Sequence, residues 1–323
     1  MTVDQSELDG FRDVFERQLL LLRNSYGSEA VPITSKTALK DCEAGALQDK
    51  VVLITGASSG FGAELAKRAA KHGAKVVVAA IANSGLDKVV EEIQQVGGEV
   101  TSLDVDVSKW ADQVALFEHA EQKYDRIDIV FANAGIYERG NLLESKTTAE
   151  GKLEEPTLET LDVDVRGSIY TSKLAFHYFT KHQWNKTQKL IITGSLGSWL
   201  SAPGCPVYGT ACHARLGLFR ALNNDAEGKN LDVTMIAPGP VPTAIWGNAM
   251  QTMVGQLPHA KLSDTVDAML AAAAGGYAGK ILATDTIGIF QIPNTVPQPA
   301  AQATEIKKGD NDKVDEKKVD EAK

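Results

Sequence analysis

The chain is poor in the residues that mark several large protein classes. Its three cysteines, Cys42, Cys205 and Cys212, are odd in number and widely spaced, which gives neither a disulfide framework nor a zinc-ligand spacing. Its six histidines are scattered, so no metal site is expected. Aromatic residues make up only 6% of the chain and no basic stripe runs between them; 33 Lys and Arg against 42 Asp and Glu leave a net charge of −9, which argues against nucleic acid as a partner. No apolar run is long enough to span a bilayer, and the polar opening Met1-Thr2-Val3-Asp4 is unlike a signal peptide, so a cytoplasmic protein without membrane insertion is expected.

What is present is a chain of 323 residues in which apolar, β-branched runs alternate with helix-like segments. That length allows one large core, and the alternation predicts an α/β, Rossmann-type doubly wound parallel sheet forming a single domain over 48–292. An N-terminal extension over 1–47 precedes it, where Leu8, Phe11, Phe15, Leu19 and Leu22 recur at helical spacing and predict an amphipathic helix over 7–23. A Pro-containing linker and charged tail follow over 293–323. From Glu305 onward that tail mixes Lys with Asp and Glu and has almost no apolar content, a composition that cannot offset its ordering entropy and predicts disorder.

The chemistry is carried by four turn motifs. Val51-Val52-Leu53-Ile54 reads as a buried strand and leads into Thr55-Gly56-Ala57-Ser58-Ser59-Gly60-Phe61-Gly62. A helix-forming segment, Ala63 to His72, follows and ends at Gly73. Glycine is required where a tight turn must bring backbone close to a pyrophosphate, whose charge the helix amides then meet. Asp106-Val107, Asn133-Ala134-Gly135 and Pro238-Gly239-Pro240-Val241-Pro242-Thr243 each close a further strand-like run.

In this order the motifs resemble the short-chain dehydrogenase/reductase family over roughly Gln48 to Phe290. The run Tyr170 to Phe179 is similar to fungal members related to 15-hydroxyprostaglandin dehydrogenase. The resemblance implies a dinucleotide held at Thr55, Gly56, Ser58, Ser59, Gly60, Phe61 and Gly62 near the pyrophosphate, and at Asp106 and Val107 near the adenine. Asn133, Ala134 and Gly135 would lie beside it, with Pro238, Gly239, Val241 and Thr243 under the nicotinamide. It further implies a homodimer or homotetramer. Val76 to Ile81 ends without the acidic residue that selects NAD, and Ser58, Ser59, Asn83 and Ser84 offer hydroxyl and amide donors, so NADP(H) is favoured.

The family's Asn, Ser, Tyr and Lys tetrad falls on Asp164, Ser195, Tyr208 and Cys212. Ser195 stands thirteen residues before Tyr208, and Cys212 four after it. In the family the lysine holds the nicotinamide ribose and lowers the tyrosine pKa. A unit charge about 5 Å away at an effective dielectric of about 20 is worth roughly 3 kcal/mol, or about two pKa units. Cysteine supplies neither charge nor reach, so Tyr208 is expected to remain a phenol. An ionised Asp164 would add further negative charge, and its carbonyl would take the place that holds a relay water. Asp164 has a plainer reading as a cap of the following helix, and Cys212 as a small buried residue. Lys173, in the helix after Asp164, could in principle project a replacement ammonium, but its reading is a surface charge.

Three functions stay open on these residues. The first is an NADP(H)-dependent oxidoreductase that reduces a carbonyl of a hydrophobic small molecule, secondary-metabolite or sterol-like, with Tyr208 as proton donor and Ser195 polarising the oxygen. The second is a non-redox isomerase, lyase or cyclase using Asp164, and the third a non-catalytic cofactor-binding scaffold. Two segments are expected to shape the substrate mouth: the polar insertion 141–152, and Ala244 to Leu262 with its Trp246, Met250, Met253 and Leu257.

Overall fold

The computed structural model describes residues 31–181, 187–200 and 204–292, with the isolated positions Asp13, Leu20 and Asn294. Apart from those positions, the amphipathic helix expected over 7–23 and the tail from Glu305 lie outside the described residues.

The long apolar runs form the strands of one sheet, because strands buried on both faces need no polar alternation. In chain order these are β1 (Val31–Ile33), β2 (Val51–Thr55), β3 (Lys75–Ala80), β4 (Glu99–Asp104), β5 (Ile129–Ala132), β6 (Gln188–Thr193), β7 (Leu231–Pro238), β8 (Ile281–Asp285) and β9 (Gly288–Ile292). Their spatial order is β1-β9-β8-β7-β6-β5-β2-β3-β4. Within β2 the side chains divide between the two cores: Val51 and Leu53 pack on one face, Val52 and Ile54 on the other. The helices α1 (Ser35–Glu43), α2 (Gly60–Lys71), α3 (Leu86–Gln95), α4 (Trp110–Tyr124), α5 (Gly167–Lys181), α6 (Pro206–Ala226), α7 (Gly247–Gln256) and α8 (Leu262–Ala274) flank it. A short helix, Glu159–Leu161, and a π-helical turn, Asp162–Arg166, lead into α5.

The sheet is parallel from β4 to β8, as expected, but its other edge is not: β8 pairs with β9, and β9 with β1, antiparallel. Only Thr286 and Ile287 separate β8 from β9, and so short a connection can only reverse the chain. Residues 31–43 are part of this packed body. Beyond the β1 pairing, the buried Cys42 thiol of α1 donates to the Leu270 carbonyl of α8 at 3.2 Å.

After β4 the chain returns to the opposite side of β2 to lay down β5. The crevice between the carboxyl ends of β2 and β5 is therefore the topological switch point, where an open α/β sheet receives its ligand.

Candidate active site

Two turns meet at that crevice so closely that side chains are excluded. Gly56 has φ +69°, and a Cβ there would lie 2.7 Å from the Ala134 Cα. A Cβ on Gly62 would lie 2.3 Å from the Gly56 carbonyl oxygen and 2.8 Å from Asn133 Nδ2. Asn133 joins three strand ends: its Nδ2 donates to the Thr55 carbonyl at 2.9 Å, and its Oδ1 accepts from Thr193 Oγ1 at 3.1 Å. Thr55 is buried below the turn, with its hydroxyl accepting from the amides of Asn133 and Ala134, each at 3.1 Å. It supports the cradle without lining it.

A cavity of about 700 Å³ runs from this cradle to Trp246. Apart from Thr55 and Asn83, all the residues assigned above to the dinucleotide line it, as do Asp164, Ser195 and Tyr208; Cys212 does not line it. The cradle fits a dinucleotide. The N-terminus of α2 opens into it with no side-chain cap on its amides, and the Ser84 hydroxyl is buried with no hydrogen-bond partner among the described residues. Ala80 and the exposed Ile81 end β3 there, without a carboxylate. The Asp106 carboxylate is engaged locally. Burial raises its pKa, but hydrogen bonds from Ser108 and Lys109 outweigh that and hold it below the ordinary value.

At the other end, α6 starts with proline at its first turn and presents Tyr208 one turn before Cys212. The Glu138 carboxylate accepts from the Val207 amide at 3.2 Å and the Tyr208 amide at 2.6 Å, fixing the helix start where its dipole favours an anion. The Tyr137 ring lies between Tyr208 and Trp246, with centroids 4.9 Å and 4.5 Å away, and its hydroxyl donates to Cys205 Sγ at 3.1 Å. Glu138 and Tyr137 were not singled out from sequence, where they read as ordinary loop residues.

Ser195, Tyr208 and Cys212 are neighbours: a Cβ built on Gly197 would lie 3.3 Å from both Ser195 Oγ and Cys212 Sγ, and each of the three influences the titration of another. The Ser195 hydroxyl also accepts from the Gly197 amide at 3.0 Å. Burial pushes the Cys212 thiol up to about 11, so it is protonated at neutral pH. Burial, with Cys212 and Asp164 adding to it, holds Tyr208 well above 10, while Ser195 and Arg215 pull the other way. The tyrosine is thus a phenol, as its lost lysine implies.

Two expectations about Asp164 need correction. Asp164 does not cap a helix: it sits inside the π-helical turn, and its Oδ1 accepts from the Ile136 amide at 2.8 Å across the cleft. Its charge is not uncompensated, because Arg215 Nη1 lies 3.8 Å from Oδ2. Burial raises the Asp164 carboxyl above the ordinary carboxylate range, against the pull of Arg215 and of the Ile136 amide. Lys173 is exposed on α5, in keeping with its reading as a surface charge. The signal for Arg215 was in the sequence: Tyr208, Cys212, Arg215 and Phe219 fall on one helical stripe, three and four residues apart.

The carbonyl of Asp164 departs from the family pattern too. It accepts from Arg215 Nε at 2.7 Å and Ser168 Oγ at 2.6 Å, which occupies both lone pairs and leaves none for a relay water. His213 is exposed and bonds back to the Gly209 carbonyl, away from Cys212. No residue of the insertion 141–152 lines the cavity; the flanking Arg139 and Glu159 do, as do Ala244, Ile245 and Trp246. Among the described residues no group of side chains is arranged to hold a metal ion, and no helix is long and apolar enough to cross a membrane.

Comparison with known proteins agrees with this geometry. The family model for short chain dehydrogenase matches residues 50–253. The short-chain dehydrogenase/reductase ascJ of Acremonium egyptiacum is 34% identical over 224 residues, covering 68% of this chain and 73% of that protein. The 3-ketoacyl-(acyl-carrier-protein) reductase of Brucella melitensis, solved with NADH, superposes with TM-score 0.62 at 27% identity, covering 74% of this chain and 98% of that one. A short-chain dehydrogenase/reductase of Burkholderia phymatum, solved with NAD, shares the fold at 24% identity and TM-score 0.61, covering 71% and 87%. With its cradle at the switch point and Ser195 beside Tyr208, the chain belongs to the short-chain dehydrogenase/reductase family of oxidoreductases.

Proposed function

We propose that this protein reduces a carbonyl group on a hydrophobic small molecule, secondary-metabolite or sterol-like, with NADP(H) as its cofactor. The observation that carries this reading is the meeting of the Ser195 hydroxyl and the Tyr208 phenol at one end of a cavity whose other end is a glycine cradle. When bound, the reduced nicotinamide supplies the hydride. Ser195 donates a hydrogen bond to the carbonyl oxygen, and Tyr208 gives that oxygen its proton. The direction follows from the titration state: burial holds the Tyr208 phenol above its ordinary range, so it is a proton donor, whereas alcohol oxidation needs the phenolate as base.

Tyr137, Leu200, Ile245 and Trp246 give the catalytic end an apolar wall, which supports a hydrophobic substrate. The missing carboxylate at the end of β3 and the hydroxyls of Ser58, Ser59 and Ser84 support NADP(H), although no Lys or Arg lines the adenosine end. A homodimer or homotetramer in the cytoplasm completes the proposal. The non-redox reading has less support, because Asp164 Oδ1 is already held by the Ile136 amide and Oδ2 faces Arg215 Nη1 at 3.8 Å.

Calorimetry with NADPH and NADH, followed by a screen of apolar ketones, tests the proposal. Tighter NADPH binding and alcohol products are expected. A product at the oxidation state of its substrate would move the assignment to the Asp164-based alternative, and binding of neither dinucleotide would leave the scaffold reading.

A further inference from the structure

Arg215 is 6% exposed, yet it lies on the buried stripe of α6 and lines the cavity. A buried guanidinium is costly unless its donors are satisfied, and here they are met by backbone from three separate segments. Nε donates to the Asp164 carbonyl at 2.7 Å, Nη1 to the Thr193 carbonyl at 3.0 Å, and Nη2 to the Ala134 carbonyl at 2.6 Å. Ala134 follows β5, Thr193 ends β6, and Asp164 belongs to the π-helical turn, so one side chain ties together three elements that bound the site. Gly135 closes over the pair: a Cβ there would lie 3.2 Å and 3.3 Å from the two guanidinium nitrogens and 3.4 Å from Asp164 Oδ1.

Cys212 contributes no charge, so the ionisable pair behind Tyr208 is the Arg215 guanidinium and the Asp164 carboxyl, 3.8 Å apart and with Asp164 1% exposed. The other groups around the phenol are the Cys212 thiol on α6, the Ser195 hydroxyl, the Tyr137 ring, and the Glu138 carboxylate at its backbone amide. We propose that Arg215 is the positioning residue of this site: it clamps the ends of β5, β6 and the π-helical turn and, paired with Asp164, sets the charge beneath Tyr208 that no residue at position 212 supplies. The role of Tyr208 as proton donor rests on the function proposed above; the clamp and the charge pair do not.

The test uses the full chain with Asp164→Asn, Arg215→Met and the two combined. Thermal melting is measured for each, together with the pH titration of Tyr208 by its phenolate absorbance, the trace of a Tyr208→Phe variant being subtracted. Asp164→Asn leaves the guanidinium unopposed, so Tyr208 ionisation is expected to fall by about one pH unit or more, with a melting point near that of the parent. Arg215→Met is expected to melt lower without that fall, because it strands a buried carboxylate and the carbonyls of Ala134 and Thr193. Removing the carboxylate as well should recover part of the melting loss. An unchanged Tyr208 titration in Asp164→Asn overturns the charge role, and a double variant melting no higher than Arg215→Met overturns the pairing. If Arg215→Met does not fold, the Asp164→Asn titration decides alone. These readouts need no substrate, so a protein without reductase activity can still pass them, and an active reductase can still fail them.

Discussion

Replacing Cys212 by lysine restores the one group the tetrad lacks, and its effect can be worked from the surroundings. Cys212 is 3% exposed, and its thiol lies beside Tyr208 and Ser195. A lysine extending toward the cavity places its ammonium beside the phenol. At about 5 Å and an effective dielectric of about 20 the attraction for phenolate is roughly 3 kcal/mol, or about two pKa units. Arg215 already lies in the same pocket, and mutual repulsion of the two cations reduces the lysine's own charge, so a shift of about one to two units is expected. The sign is downward, since a cation favours the charged phenolate. The assay compares alcohol oxidation and carbonyl reduction across pH 6 to 10 in both proteins. Oxidation at neutral pH should rise about tenfold or more in Cys212→Lys, as the phenolate fraction grows, while reduction changes less. Oxidation that does not rise, in a variant that folds and binds cofactor, would refute the view that the missing cation limits Tyr208.

Other consequences follow from particular contacts. Gly62→Ala puts a methyl group against the Gly56 carbonyl at 2.3 Å, so a loss of about 1–3 kcal/mol in urea unfolding and loss of dinucleotide binding by calorimetry are expected. Glu138→Ala removes the carboxylate that receives the Val207 and Tyr208 amides; about 1 kcal/mol of stability should be lost, and steady-state kinetics should show kcat falling more than KM rises. Stability should decline in alkali. Cys212 rises from 9.0 to about 11, and Tyr137 and Tyr208 are also raised, so their contribution is complete below pH 9 and is lost as pH climbs through the folded-state values; urea midpoints at pH 8 and pH 10 check this.

Much of the fold was legible because its signals are local. Continuous, β-branched apolar runs such as Val76 to Ala80 read as strands buried on both sides, and the turns at 55–62, 133–135 and 238–243 carry glycine or proline where backbone must turn sharply. The antiparallel edge is not part of the parallel sheet expected from sequence; it follows from the short connection through Thr286 and Ile287 between two strands.

The amino-acid order by itself determined the family, the cradle, and the fact that a cysteine stands one turn after the tyrosine. Each follows from residues close together in the chain, where spacing and composition suffice. The charge of the site was decided only by the tertiary structure. Arg215 meets carbonyls 81, 51 and 22 residues away, and the Asp164 carboxylate meets the Ile136 amide 28 residues away. No local pattern encodes such partners. A buried cation is read from what surrounds it, and its surroundings exist only once the strand ends have been brought to one edge of the sheet.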